Sequence, residues 1–110
     1  MIMKPLSSEE DYKNLVELSH NKPVYLLKHS LICPISSAAF REFQLFLREN
    51  SNAAGFLLKI QENRGLSNHI AGATGVTHQS PQVLLFKDGK VVWDESHYGI
   101  SVHSLSDSLA

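Results

Sequence analysis

With 110 residues, 43% apolar and 19% charged, the chain has material for one hydrophobic core and the composition of an ordinary globular domain. Ten basic against 11 acidic side chains leave a net charge of −1, and no Lys/Arg cluster stands out, so neither nucleic acid nor a membrane surface is an expected partner. The lone cysteine rules out an internal disulfide. With no apolar leader and no stretch of membrane-spanning length, a reducing, cytoplasmic setting is the expectation.

Ser7-Ser8-Glu9-Glu10-Asp11 has the form of a helix start, with Ser8 as the cap and acids in the first turn. Tyr12, Leu15, Val16 and Leu18 give that helix an apolar face ending near His20-Asn21. Pro23 opens an apolar strand over 24–28, and a helix is expected over 36–50. Its wide stripe of Ala38, Ala39, Phe40, Phe43, Leu45, Phe46 and Leu47 predicts substantial burial. A second near-continuous apolar strand covers 55–60, of the kind found inside a parallel sheet. A shorter helix over 65–73, a loop over 74–81 and a third strand over 83–86 follow. Asp88-Gly89 is the strongest hairpin signal, since a tight primed turn needs positive φ at both positions; the chain returns through Val91-Val92-Trp93. A short last helix starts near Ser101 or Ser104. The order helix, strand, helix, strand, helix, strand, strand, helix predicts a single α/β domain over 1–110, with a mixed sheet covered on both faces.

Cys33 falls where the first strand gives way to a helix. A thiol at that junction faces the positive end of the helix dipole and its unpaired N–H groups, both of which favour the reactive thiolate. Pro34 suits the first helical turn, where a missing N–H costs nothing. Ser36 occupies the place that the second cysteine of a Cys-x-x-Cys pair would take, so the chemistry expected is that of one thiol. The bland reading of Cys33 is a small buried hydrophobe.

This order of elements resembles the thioredoxin fold, a mixed central sheet of parallel strands plus a C-terminal antiparallel hairpin, flanked by helices. Cys33-Pro34-Ile35-Ser36 stands after the first long strand as that family's active site does. Ser80-Pro81 stands before the hairpin, where the resemblance implies a cis-proline beside the thiol. Phe86-Lys87-Asp88-Gly89 is similar as well. Three further stretches resemble the monothiol bacilliredoxins of the YtxJ type: Lys28-His29-Ser30 ahead of the cysteine motif, His78-Gln79-Ser80-Pro81-Gln82, and Ser96-His97-Tyr98-Gly99-Ile100. Thioredoxins often bury a carboxylate six residues before the nucleophile; here Leu27 stands there, which with Ser36 argues against a general dithiol reductase.

The resemblance implies a thiol–disulfide oxidoreductase that removes bacillithiol from mixed disulfides on oxidised proteins, in redox homeostasis and the stress response. Bacillithiol is then a co-substrate and no cofactor is held. The partners implied are bacillithiolated client proteins, and bacillithiol or another redoxin for release. Cys33 is the expected nucleophile, and His29 and His78 are expected to flank it. Ser36 either donates to the sulfur or caps its own turn. Ser80, beside a cis Pro81, would present its backbone to an extended substrate, and Pro34, Ile35, Leu31 and Ile32 would supply an apolar rim.

His97 is expected to bond locally in the last hairpin, and His20, His69 and His103 to be solvated. The six histidines show no metal-ligand spacing, so no zinc site is expected. Arg64 and Asn68 are open between a capping and a functional role. Two other functions compete: a non-catalytic thioredoxin-like interaction module, and an iron–sulfur carrier of the monothiol-glutaredoxin kind. The latter's Cys-Gly-Phe-Ser pattern is not matched here.

Overall fold

In the computed structural model, which describes residues 2–110, the Ser8 side chain accepts from the Asp11 N–H at 3.1 Å and opens α1 (Glu9–Leu18). β2 (Val24–His29) follows, then α2 (Pro34–Glu49), β3 (Ala54–Lys59) and α3 (Arg64–Thr74). β4 (Gln82–Lys87) and β5 (Lys90–Ser96) form the hairpin, and α4 (Val102–Leu109) closes the chain behind the cap Ser101. These bounds lie within one to three residues of the expected ones, α2 starting earlier because Pro34 is itself helical.

Three elements have no counterpart in the sequence reading. Met3–Pro5 forms a short strand, β1, and one-turn 3-10 segments lie at Ile60–Glu62 and His97–Gly99. Only Met3 of β1 is buried, so neither alternation nor an apolar run marks it. β1 runs parallel to β3 at the sheet edge, where Pro5 lacks an N–H at little cost.

The sheet order is β1-β3-β2-β4-β5. β2 pairs parallel with β3 on one side and antiparallel with β4 on the other. Along β2 the side chains alternate between two cores. Tyr25 and Leu27 join Phe43, Phe46 and Leu47 of α2 and Leu105 of α4, so Leu27 is plain core. Val24 and Leu26 join Leu15 of α1 and Leu66 and Ile70 of α3. With both faces covered, β2 is buried from Val24 to Lys28, which explains its near-continuous apolar run.

The hairpin turn has φ +53° at Asp88 and +79° at Gly89, as a primed turn requires. It docks on the end of α1: Asp88 N–H donates to the Ser19 carbonyl and Gly89 N–H to the Ser19 hydroxyl, both at 2.8 Å.

Candidate functional site

Cys33 is the N-cap of α2, with extended backbone (φ −103°, ψ 123°), Pro34 behind it and a partly buried side chain. Its carbonyl accepts from the Ser36 N–H at 3.0 Å and the Ser37 N–H at 3.3 Å, closing the first turn. The thiol pKa is lowered chiefly by the backbone N–H of Ser36 and then by that of Ile35; burial opposes this, and the Ser36 hydroxyl adds to it. No charged side chain is among the causes. The device is the helix terminus itself.

Ser36 is fully buried, and its oxygen accepts from the Ser30 N–H at 3.3 Å. His29 lies on the α2 side of the sheet, its ring 5.4 Å from that of Phe40, with Nδ1 buried and unpartnered among the described residues. Burial first, then Lys59, pushes its pKa down against the opposing Ser36 backbone. That favours neutral imidazole, so His29 gives Cys33 no cation at neutral pH.

Ser80–Pro81 is a cis peptide, and the Pro81 carbonyl accepts from the His97 N–H at 3.0 Å. That bond joins the loop ahead of β4 to the turn at 97–99. His97 has a left-handed φ of +53° and bonds through its backbone, while Tyr98 is exposed. Leu31 and Ile32, 49% and 84% exposed, put apolar surface next to Cys33. Arg64 opens α3 with no side-chain cap bond from Asn63 before it.

Lys28 is the feature that sequence reasoning passed over. It is wholly buried on the α3 side of β2, following Val24 and Leu26 in the alternation. Its Nζ donates to the Ser67 carbonyl at 3.3 Å and lies 3.4 Å from His78 Nδ1, with no carboxylate partner among the described residues. Burial pushes its pKa down to about 8. An ammonium only donates, so while Lys28 is charged His78 Nδ1 must accept and the ring proton sits on Nε2. Burial, then Lys28 and Arg64, lower the His78 pKa too, and Ser67 Oγ lies 3.2 Å from the same Nδ1. His78 is therefore tied to β2 and α3. Gln82, also buried, donates to the Thr77 carbonyl at 3.0 Å and accepts from the Gln79 N–H, so two core polar side chains brace the loop at 75–81. The signal for Lys28 was in the sequence: a lysine on the inward phase of a buried strand needs a partner.

Gln61 is the second residue not foreseen. Its Oε1 accepts from the Leu31 N–H at 3.0 Å, and its Nε2 donates to the Ser30 hydroxyl at 2.9 Å. Among the described residues no group of three or more His, Cys, Asp or Glu side chains gathers to hold a metal ion, and no helix is long and apolar enough to cross a membrane.

Residues 4–105 match the sequence model of a family described as monothiol bacilliredoxin BrxC. The chain belongs to the bacilliredoxin family. It is 39% identical to a solved protein described as having a thioredoxin fold, over 99% of this chain and 95% of that one, with a TM-score of 0.92. Thioredoxin from Fasciola hepatica matches at 17% identity over 97% and 96% of the two chains (TM-score 0.78). Spinach chloroplast thioredoxin f in its long form matches at 17% over 97% and 83% (TM-score 0.78). The last two show the fold alone. This bacilliredoxin is thus a thioredoxin-like redox protein, and Cys33 is its one cysteine.

Proposed function

We propose that this bacilliredoxin removes bacillithiol from mixed disulfides on cytoplasmic client proteins through Cys33. The observation that carries the reading is a thiol at the start of α2, activated by the Ser36 and Ile35 amides, in a chain with no second cysteine to resolve an intermediate internally. The Cys33 thiolate attacks the bacillithiol sulfur. The old S–S bond breaks and its electron pair leaves with the client sulfur, which takes a proton from solvent. Cys33 then carries bacillithiol as a new disulfide. A second bacillithiol thiolate, or the thiolate of another redoxin, attacks that disulfide and returns Cys33 as thiolate.

In this reading Pro34, Ile35, Leu31 and Ile32 form the apolar rim on which a client rests. Ser80 and Pro81 offer it backbone groups, with His78 holding their loop. His29 packs beneath the first turn of α2, and Ser36 supports the thiolate.

Intact-mass spectrometry after mixing reduced protein with a bacillithiolated client is the test. With no other reductant, wild type is expected to accumulate a bacillithiol adduct on Cys33 as client thiol appears, and Cys33→Ser to release no client thiol. Return of client thiols by wild type with no adduct ever forming on Cys33 would refute the direct exchange.

A further inference from the structure

The segment that delivers Cys33 to its helix has almost no packing of its own. Leu31 and Ile32 point outward, at 49% and 84% exposure, so no apolar anchor fixes the three residues between β2 and Cys33. Hydrogen bonds do this instead, and they converge from two sides. Gln61 grips the segment with both ends of its amide, accepting from Leu31 N–H and donating to Ser30 Oγ. On the other side, Ser30 N–H donates to the buried Ser36 hydroxyl oxygen, inside the first turn of α2.

Gln61 is well placed to act as the fixed point. It belongs to the 3-10 turn at Ile60–Glu62, whose first residue Ile60 is 5% exposed in the core under α3. The turn is closed by Asn63, whose N–H donates to the Ile60 carbonyl at 3.1 Å and whose side chain donates to the Lys59 carbonyl at 3.2 Å. A hydrogen-bonded turn thus carries a bidentate amide whose partners among the described residues both belong to the nucleophile's segment.

We infer that Gln61 is a positioning residue for Cys33, holding Ser30 and Leu31 so that Ser30 keeps the Ser36 turn in register with the sulfur. The chain of contacts runs from Gln61 to Ser30, from Ser30 to Ser36, and from Ser36 to the thiolate that its amide faces. Because the Ser36 oxygen accepts from Ser30, its own O–H is left free to donate, and both the amide and the hydroxyl of Ser36 lower the Cys33 pKa. When the clamp is lost, the exposed segment swings with its apolar side chains in water. The sulfur then no longer stays over the amides of Ile35 and Ser36, and the thiolate loses support although the fold persists.

The inference rests on the thiolate chemistry proposed above, but its test needs no bacillithiol. Iodoacetamide alkylation of Cys33 is followed against pH in wild type, Gln61→Met, Ser30→Ala, Ser36→Ala and the Gln61→Met/Ser36→Ala double variant. Gln61→Met keeps the side-chain length and removes both bonds; Ser30→Ala removes one. Gln61→Met is expected to raise the alkylation midpoint and slow the reaction at neutral pH about three- to tenfold, with Ser30→Ala in between. In the Ser36→Ala background, Gln61→Met is expected to add little, since the two act through one chain. Gln61 lies on the surface, and unchanged thermal unfolding of its variant separates positioning from loss of fold. A midpoint unmoved by Gln61→Met overturns the inference, and so does a shift of full size that persists without the Ser36 hydroxyl. Failure of adduct formation with an intact alkylation result would instead count against the bacillithiol reading alone.

Discussion

Replacing Lys28 with methionine keeps the length of the side chain and removes an ammonium held, fully buried, against one carbonyl and one imidazole nitrogen. Burial pushes its pKa from 10.5 down to about 8, so the folded chain discharges Lys28 well before the unfolded chain does. Below about pH 8 both states carry the proton, and the cost of burying the charge is fully present. Between about 8 and 10.5 the unfolded chain binds more protons than the folded one, so this group makes stability rise with pH. At roughly 1.4 kcal/mol per pH unit the interval sets a ceiling of about 3 kcal/mol; relaxation of the surroundings toward the buried ammonium brings the expected gain to about 2 kcal/mol.

The assay is urea unfolding of reduced protein followed by Trp93, the single tryptophan, at a series of pH values from about 7 to 10.5. Tyr12 and Tyr25, whose pKa values burial raises, titrate in both proteins and cancel in the difference. The stability of wild type minus that of Lys28→Met is expected to climb by about 2 kcal/mol across the series. Parallel pH profiles for the two proteins would show that the ammonium keeps its ordinary pKa, and the reasoning from burial would fail.

Gly55→Ala is expected to destabilise by about 1–3 kcal/mol in urea unfolding, because an added Cβ runs into Leu47 Cδ1 on the buried face of α2. Ser19→Ala strips the Gly89 N–H of its hydroxyl partner and loosens the hairpin from α1; a loss of about 1–3 kcal/mol is expected. Ser36→Cys supplies an internal attacker, so the bacillithiol adduct on Cys33 should give way to a disulfide between positions 33 and 36, read as loss of the adduct mass.

Local chemistry determined much of this protein before any contact was known. Ser8 with its acids, Pro34 after Cys33, and Asp88-Gly89 each act within a few residues, and each does in the structure what its residue type demands. The same holds for the thiol: a cysteine between a buried strand and a proline-led helix meets the amides of that helix whatever surrounds it. The apolar run over 24–27 marked β2 as a buried strand, and the structure extends that burial to Lys28.

What lay beyond reach depends on partners far along the chain. β1 exists only because β3 offers it an open edge; three residues with one inward side chain have no signature of their own. That β4 runs antiparallel to β2 follows from how the sheet closes, not from its apolar run. Gln61 reaches its partners across 30 and 31 residues, and Lys28 meets Ser67 and His78 across 39 and 50. No local pattern encodes such pairs, because a hydrogen bond needs donor and acceptor within about 3 Å, and tertiary packing alone brings them there. The thiol was therefore legible in the sequence, while the clamp around its segment and the buried cation under the proline loop were decided by the fold.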